Sequence, residues 1–110
     1  YNWSSLKSMA LRAEQGGSSF TTAYTMTAAQ AKILNSLPNY KTHYGADAAS
    51  GGKVYPARFD DLLDLVQMYG PHTLITIDKC SSQEIFSACY KLLREKNMLN
   101  NKKYFLFILN

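Results

Sequence analysis

An acid and a base stand together at the end of an apolar run in this sequence. Residues 73–79 read TLITIDK, so Asp78 and Lys79 follow directly on β-branched and aliphatic side chains. A carboxylate can ligate a hard cation or transfer a proton, and an ammonium group can bind an anion. Burial of the apolar run requires neither charge. A structural interpretation is also open, since Asp78 could cap the following helix or pair with Lys79.

The other residues with potential chemistry fit no catalytic or metal-binding pattern. Cys80 and Cys89 lack a metal-ligand spacing and are predicted to be buried thiols, although a turn and a helix between them would let them approach. His43 lies in a predicted loop and His72 at the start of a predicted strand. We predict that both are surface histidines.

Composition is that of one small domain or a fragment of a larger one. The chain has 110 residues and a net charge of +4, and its one cluster of cations, between Lys91 and Lys103, surrounds the end of a predicted helix. Cations at that position favour the helix dipole, so we predict no nucleic-acid partner. Because no apolar run approaches the roughly 20 residues that span a bilayer, we also predict no membrane span.

The first half of the chain is predicted to be helix and loop. Apolar spacing indicates a helix over about residues 5–13, with Ser4 as its N-cap. Thr27 and Gln30 form a capping box that begins a second helix, which Pro38 ends. Residues 39–53 are rich in Gly, Ala, Ser and Asn without periodicity, which indicates a long loop.

The second half alternates helices with continuous apolar strands. The pattern predicts a helix to Tyr69, a strand over 72–78, a helix from a Ser81–Glu84 capping box to about Lys96, and a strand over 104–109. Strands without polar alternation are typical of burial on both faces. The two helices should pack against the core through apolar stripes that include Leu62, Tyr69 and Ile85. This alternation of helices and strands is typical of an α/β fold, and it predicts two neighbouring parallel strands joined by a right-handed crossover.

Two parallel strands need neighbours to make a stable sheet. We therefore expect further strands from a longer protein or from an oligomeric partner. The sequence begins at Tyr1 rather than Met and ends in the strand pattern YFLFILN. We interpret it as a segment of a larger fold that is incomplete as a standalone chain.

Three blocks of the sequence resemble the glycerophosphodiester phosphodiesterase family. YNWSSLKSMALR is similar to the stretch after that family's second strand, and KVYPARFDDLLDLVQMYGPHTLITIDKC to the helix and third strand, which ends in an acid and a lysine. EIFSACYKLLREKNMLNNKKYFLFILN is similar to the next helix and fourth strand. Residues 14–52 match no part of the family and are predicted to be an insertion with one helix, whereas 53–110 would be the helix–strand–helix–strand segment.

The resemblance implies part of a (β/α)8 TIM-like barrel that hydrolyses glycerophosphodiesters with a divalent metal, Ca²⁺ or Mg²⁺. By the same resemblance Asp78 would be a metal ligand and Lys79 a substrate-binding residue. The family commonly shows Glu-x-Lys there, with one residue between the acid and the lysine. Because Asp78 and Lys79 are adjacent, only one of them can match that motif, and we prefer Asp78 as the match to the acid. The family's catalytic histidines and its Glu-x-Asp pair belong to strands that precede the matched blocks. The resemblance thus implies no catalytic residue here, inactivity in isolation, and a secreted or periplasmic location.

Two alternatives remain open at this point. A helix between two strands also suits a ubiquitin-like or Ras-association-type binding module that offers a sheet edge to a partner. Such a module needs an N-terminal hairpin, whereas residues 1–40 look helical. The other alternative is a degenerate barrel that serves as a carbohydrate- or lipid-associated scaffold.

Overall fold

The computed structural model describes residues 2–13, 22–23, 25–49, 52–70, 72–77 and 82–108. The chain divides into two compact units, Tyr1–Asp61 and Leu62–Asn110. Within the residues that are described, none of the helices has the length and apolar character needed to cross a membrane.

The first unit begins with a short helix and a short antiparallel ladder. Helix α1 covers Trp3–Leu6, and strand β1 (Arg12–Ala13) pairs antiparallel with strand β2 (Thr22–Ala23). The predicted helix over 5–13 is therefore wrong, and so is the expectation that the first half supplies no strand.

The early end of α1 has a physical cause. Asn2 caps the helix by accepting the Ser5 N–H, but Met9 and Leu11 are both exposed rather than buried in an apolar stripe. Helices gain most of their stability from such a stripe. The Leu11 N–H donates instead to the carbonyl oxygen of Val54.

Helix α2 covers Ala28–Asn35 and confirms the predicted capping box. The Thr27 hydroxyl accepts the Gln30 backbone N–H at 3.1 Å, and the Gln30 side chain accepts the Thr27 N–H at 3.0 Å. Two N–H groups that the helix itself leaves unpaired are thus satisfied.

A third helix, α3, covers Tyr40–Tyr44 inside the predicted loop. Its two tyrosine rings lie one helical turn apart and stack with their centroids 4.4 Å from each other. Tyr40 is buried together with Leu37 and Ala49, which form the core of this unit. The described part of residues 14–52 accordingly holds two helices.

The second unit contains the parallel strands. Helix α4 (Phe59–Tyr69) runs into this unit from the first, and strand β3 covers Leu74–Ile77. Helix α5 (Gln83–Glu95) leads to strand β4 (Phe105–Ile108), which pairs parallel with β3 from Leu74–Phe105 through Ile77–Ile108. The parallel pairing of neighbouring strands is the one that the alternation of helices and strands predicts, and the handedness of the crossover stays a prediction.

The ends of α5 are fixed by local hydrogen bonds. Its N-cap is Ser82, one residue after the predicted Ser81, and the Ser82 hydroxyl accepts the N–H groups of Glu84 and Ile85. At the other end Asn97 adopts a left-handed φ of 56°. The Asn97 N–H donates to Arg94 and the Met98 N–H to Leu93, which is a Schellman motif.

Among the described side chains of the second unit, five apolar ones are buried. They are Leu63, Val66, Ile75, Leu93 and Met98. Leu93 and Met98 stand at the two positions whose side chains usually form the apolar pair of a Schellman motif, and both side chains are fully buried.

A partly buried ion pair joins the two long helices of the second unit. The Lys96 ammonium group, just past α5, donates to Asp64 in α4. The Gln67 side chain in α4 also donates to the Lys96 carbonyl oxygen at 2.7 Å. Polar groups therefore complete the packing between α4 and the end of α5.

Several predicted core positions are exposed instead. Leu62, Tyr69 and Ile85 are exposed, and so are Leu74 and Thr76 in β3. Ile75 alone among the first three residues of β3 is buried. Burial of β3 on both faces is therefore not observed within the described residues, because nothing in them covers the Leu74–Thr76 face.

Candidate functional site

One histidine and two aspartates come together in the first unit. His43 lies in the last turn of α3, and Asp60 and Asp61 lie in the first turn of α4. Acids are favoured at that position because the N-terminal end of a helix carries a partial positive charge. The local sequence thus places the two carboxylates, and the packing of α3 brings the imidazole to them.

The imidazole lies between the two carboxylates. His43 Nδ1 is 2.8 Å and 3.0 Å from the two oxygens of Asp61, and His43 Nε2 is 3.8 Å from Asp60 Oδ2. An ionised carboxylate only accepts hydrogen bonds, so Nδ1–H is the donor to Asp61. The side chain of Asp61 is only 6% exposed, whereas those of His43 and Asp60 are 20% exposed.

An arginine fixes the orientation of Asp60. Arg58 Nε donates to Asp60 Oδ1 at 3.0 Å and Nη2 to Oδ2 at 2.8 Å, a bidentate pair. These hydrogen bonds lower the pKa of Asp60, against the opposing effect of burial, and they raise the pKa of Arg58. The Arg58 guanidinium also lies 4.9 Å from the centre of the Trp3 ring, a cation–π contact.

Tyr44 ties α3 to the segment that precedes α4. Its hydroxyl donates to the Pro56 carbonyl oxygen at 2.6 Å and accepts the Arg58 backbone N–H at 3.0 Å. Burial raises the pKa of Tyr44, and the hydrogen bond from Arg58 opposes that rise. The neutral phenol therefore acts as a brace that holds Arg58 beside the acids. Trp3 adds a further tie, since its Nε1–H donates to the His43 carbonyl oxygen.

Comparison with known proteins identifies no relative. None of the protein-family models, curated proteins or solved structures that were compared matches this chain. We therefore infer function from the geometry of the described residues and from the motifs in the sequence.

The two residues singled out by the sequence, Asp78 and Lys79, lie outside the described residues, as does Cys80. Strand β3 is described to Ile77, so both charged residues follow its carboxyl end directly in the chain. Their roles stay predictions. Cys89, the other cysteine, is half-buried in α5.

Sequence reasoning missed the site in the first unit. His43 was predicted to be a surface histidine, and this is wrong, because its ring is mostly buried against Asp61. His72 is exposed, as predicted. Asp60 and Asp61 carry the ordinary signal of a helix start, and no spacing in the sequence relates them to a histidine 17 or 18 residues earlier. The tyrosines of α3, which bring His43 into place, looked like loop residues.

Proposed function

We propose that this chain is the third- and fourth-strand segment of a (β/α)8 hydrolase that cleaves glycerophosphodiesters with the help of a divalent cation. The observation that carries the proposal is the β3–α5–β4 unit, two parallel strands in register with a helix as their connection. This is the repeating unit of such a barrel. The motif resemblance to glycerophosphodiester phosphodiesterases supplies the reaction.

The uneven burial of β3 supports a barrel over an isolated two-stranded sheet. Side chains alternate between the faces of a strand. Ile75 is buried on one face, whereas Leu74 is 56% exposed on the other. In a barrel, helices cover the outer face and the remaining strands cover the inner face. An open β3 face with an exposed Leu74 is what the absence of those other strands would leave.

Parallel strands bring their carboxyl ends to the same edge of a sheet, where barrel enzymes bind substrate. Asp78 and Lys79 follow β3 at that edge in the chain. In the proposed enzyme the Asp78 carboxylate is an oxygen ligand of the kind that Ca²⁺ and Mg²⁺ prefer. Lys79 would bind the anionic phosphodiester as a positive point charge.

The donor set of this segment fits such a cation only in part. Strand β3 reads LITI and contains no carboxylate, so the segment offers one acidic ligand where the strand ends. A bound cation would neutralise charge that develops on the phosphoryl oxygens. In the proposed enzyme this segment would contribute one carboxylate and one ammonium group to the site of the cation and the substrate.

The test uses the natural polypeptide that contains these 110 residues and follows hydrolysis of glycerophosphocholine with and without added Ca²⁺ or Mg²⁺. We expect Asp78→Asn to lower kcat at least about 100-fold and to weaken cation affinity, since a ligand and its charge are lost. Lys79→Met should chiefly raise KM. Lys91→Met, at an exposed lysine of α5, is the matched control and should change neither constant.

The isolated 110-residue chain should not turn over glycerophosphocholine. Absence of hydrolysis by the natural polypeptide would overturn the proposed reaction. Unchanged activity and cation affinity in Asp78→Asn would overturn the role of Asp78.

The sheet-edge binding module is less well supported. Its N-terminal hairpin would belong to the same sheet as the later strands, whereas β1–β2 and β3–β4 are separate two-stranded sheets among the described residues.

A further inference from the structure

We propose that His43, Asp60 and Asp61 form a binding site for a transition-metal dication of the Zn²⁺ or Fe²⁺ class. Each residue offers one ligand atom, and these three atoms all lie within 4.8 Å of one another. The site belongs wholly to the first unit, and the proposal stands independently of the hydrolase proposed above.

The distances between the ligand atoms suit such an ion. Bonds of about 2.1 Å to nitrogen and oxygen place neighbouring ligands roughly 3.0–3.5 Å apart in octahedral or tetrahedral coordination. His43 Nδ1 lies 2.8–3.0 Å from the Asp61 oxygens, and the three ligand atoms, one from each residue, all lie within 4.8 Å of one another. The widest of these separations exceeds the required range by little more than about 1 Å, so side-chain rotations that draw the three ligands together would form the site.

Asp60 keeps an acceptor position for the ion despite its pairing with Arg58. Each carboxylate oxygen offers about two acceptor positions. Oδ1 accepts both the Arg58 Nε–H and the Asp61 backbone N–H. Oδ2 accepts Arg58 Nη2, and it is Oδ2 that faces His43. The arginine therefore orients Asp60 in the way that outer hydrogen bonds orient metal ligands.

The balance of charge favours a cation. Two carboxylates meet one guanidinium, so with a neutral imidazole the cluster carries one negative charge in excess, and Asp61 is buried. A buried carboxylate is costly unless it is paired. A dication bound to Nδ1, with the ring proton carried on Nε2 instead, would pair with both acids at once.

The donor set also selects the kind of metal. Imidazole nitrogen suits zinc, iron and related ions, whereas Ca²⁺ and Mg²⁺ prefer oxygen ligands alone. One nitrogen with two carboxylates therefore points away from the alkaline-earth cations. Water would complete the coordination, because three protein ligands leave at least one position open.

The test is binding of Zn²⁺ to the purified chain by calorimetry, with Co²⁺ absorption as a spectroscopic probe and any polyhistidine tag removed. We expect one ion per chain. His43→Gln and Asp61→Asn should each weaken affinity by at least about 10–100-fold, since each removes a ligand. His72→Gln is the matched control, because it removes the exposed histidine, and it should bind like the parent.

A structural defect in the variants would be separated from ligand loss by NMR on the parent chain. Substoichiometric Zn²⁺ should shift the ring signals of His43 and leave those of His72 in place. Absence of binding at millimolar Zn²⁺, binding unchanged in both site variants, or loss of binding in His72→Gln would each overturn the proposal. Equal affinity for Mg²⁺ would contradict the argument from the donor set.

Discussion

Two consecutive aspartates in α4 have different environments and therefore different roles. Asp60 is held by a bidentate arginine and its side chain is 20% exposed, whereas Asp61 is almost fully buried against an imidazole. Neighbouring residues on a helix point about 100° apart, which is enough to give the two carboxylates different partners and different exposure. The two consecutive aspartates in the sequence do not reveal these different environments. The partner of Asp60 comes from the preceding loop, and the partner of Asp61 comes from tertiary packing.

The ion pair of Asp60 predicts how stability changes in acid. The hydrogen bonds from Arg58 lower the folded pKa of Asp60, so its ionised form stabilises the fold. That contribution is fully present above the unfolded value of about 3.9 and is lost as the pH falls through the lower folded pKa. We therefore expect the free energy of unfolding, measured in urea, to decrease below about pH 4.

In Asp60→Asn this part of the acid dependence should disappear, and stability near neutral pH should be lower than in the parent. Glu84→Gln is the control, since Glu84 is exposed at the start of α5. An Asp60→Asn variant with the same pH profile as the parent would contradict the assignment.

At the scale of helices and strands, features set by neighbours in the chain were predictable, and features set by tertiary contacts were not. The Thr27–Gln30 capping box needs only three residues of spacing, and it is present as predicted. Helix α3 was missed because its stability comes from the stacked pair Tyr40–Tyr44 and from burial, in a composition typical of loops. Ser81 and Ser82 are chemically equivalent caps, so the sequence could not choose between them.

The end of α5 supplies a prediction about a single backbone conformation. Asn97 has φ of 56°, where β-branched residues are strained by about 1–2 kcal/mol and where Asn and Gly are tolerated. We expect Asn97→Val to lower the free energy of unfolding by about that amount and Asn97→Gly to leave it within about 0.5 kcal/mol of the parent.

Asn39→Val is the matched control for that experiment. Asn39 has φ of −122° and makes no capping hydrogen bond through its side chain, so a β-branched residue is accommodated there. Equal destabilisation at positions 39 and 97 would show that the left-handed conformation of Asn97 is not the cause.

At the scale of the whole molecule, the second unit presents more apolar surface than its own packing uses. Leu62, Tyr69, Leu74 and Ile85 are exposed although the helical and strand patterns predicted them as core. Those patterns correctly identify apolar faces, but a face is buried only if another element covers it. The barrel segment that we propose would account for these faces, because its strands need neighbours that the described residues do not include.

That explanation predicts a difference between this chain and a longer natural polypeptide. In the 110-residue chain, Leu74→Ala should cost less than about 1 kcal/mol, since the side chain is half exposed, whereas Ile75→Ala should cost about 2–5 kcal/mol. In the longer polypeptide the cost of Leu74→Ala should rise toward that of Ile75→Ala. Urea unfolding of both variants in both contexts measures this, and an equally small cost for Leu74→Ala in both would argue against a covering strand.

The contact between Lys96 and Asp64 has a consequence for local unfolding. Lys96 stands where α5 ends, and both its ammonium group and its carbonyl oxygen are bonded to α4. The last turn of α5 therefore does not fray alone, because unwinding it would leave the buried Asp64 carboxylate without its counter-charge. The end of α5 and the middle of α4 should open as one cooperative event, and their amide hydrogens should exchange with solvent at a common free energy.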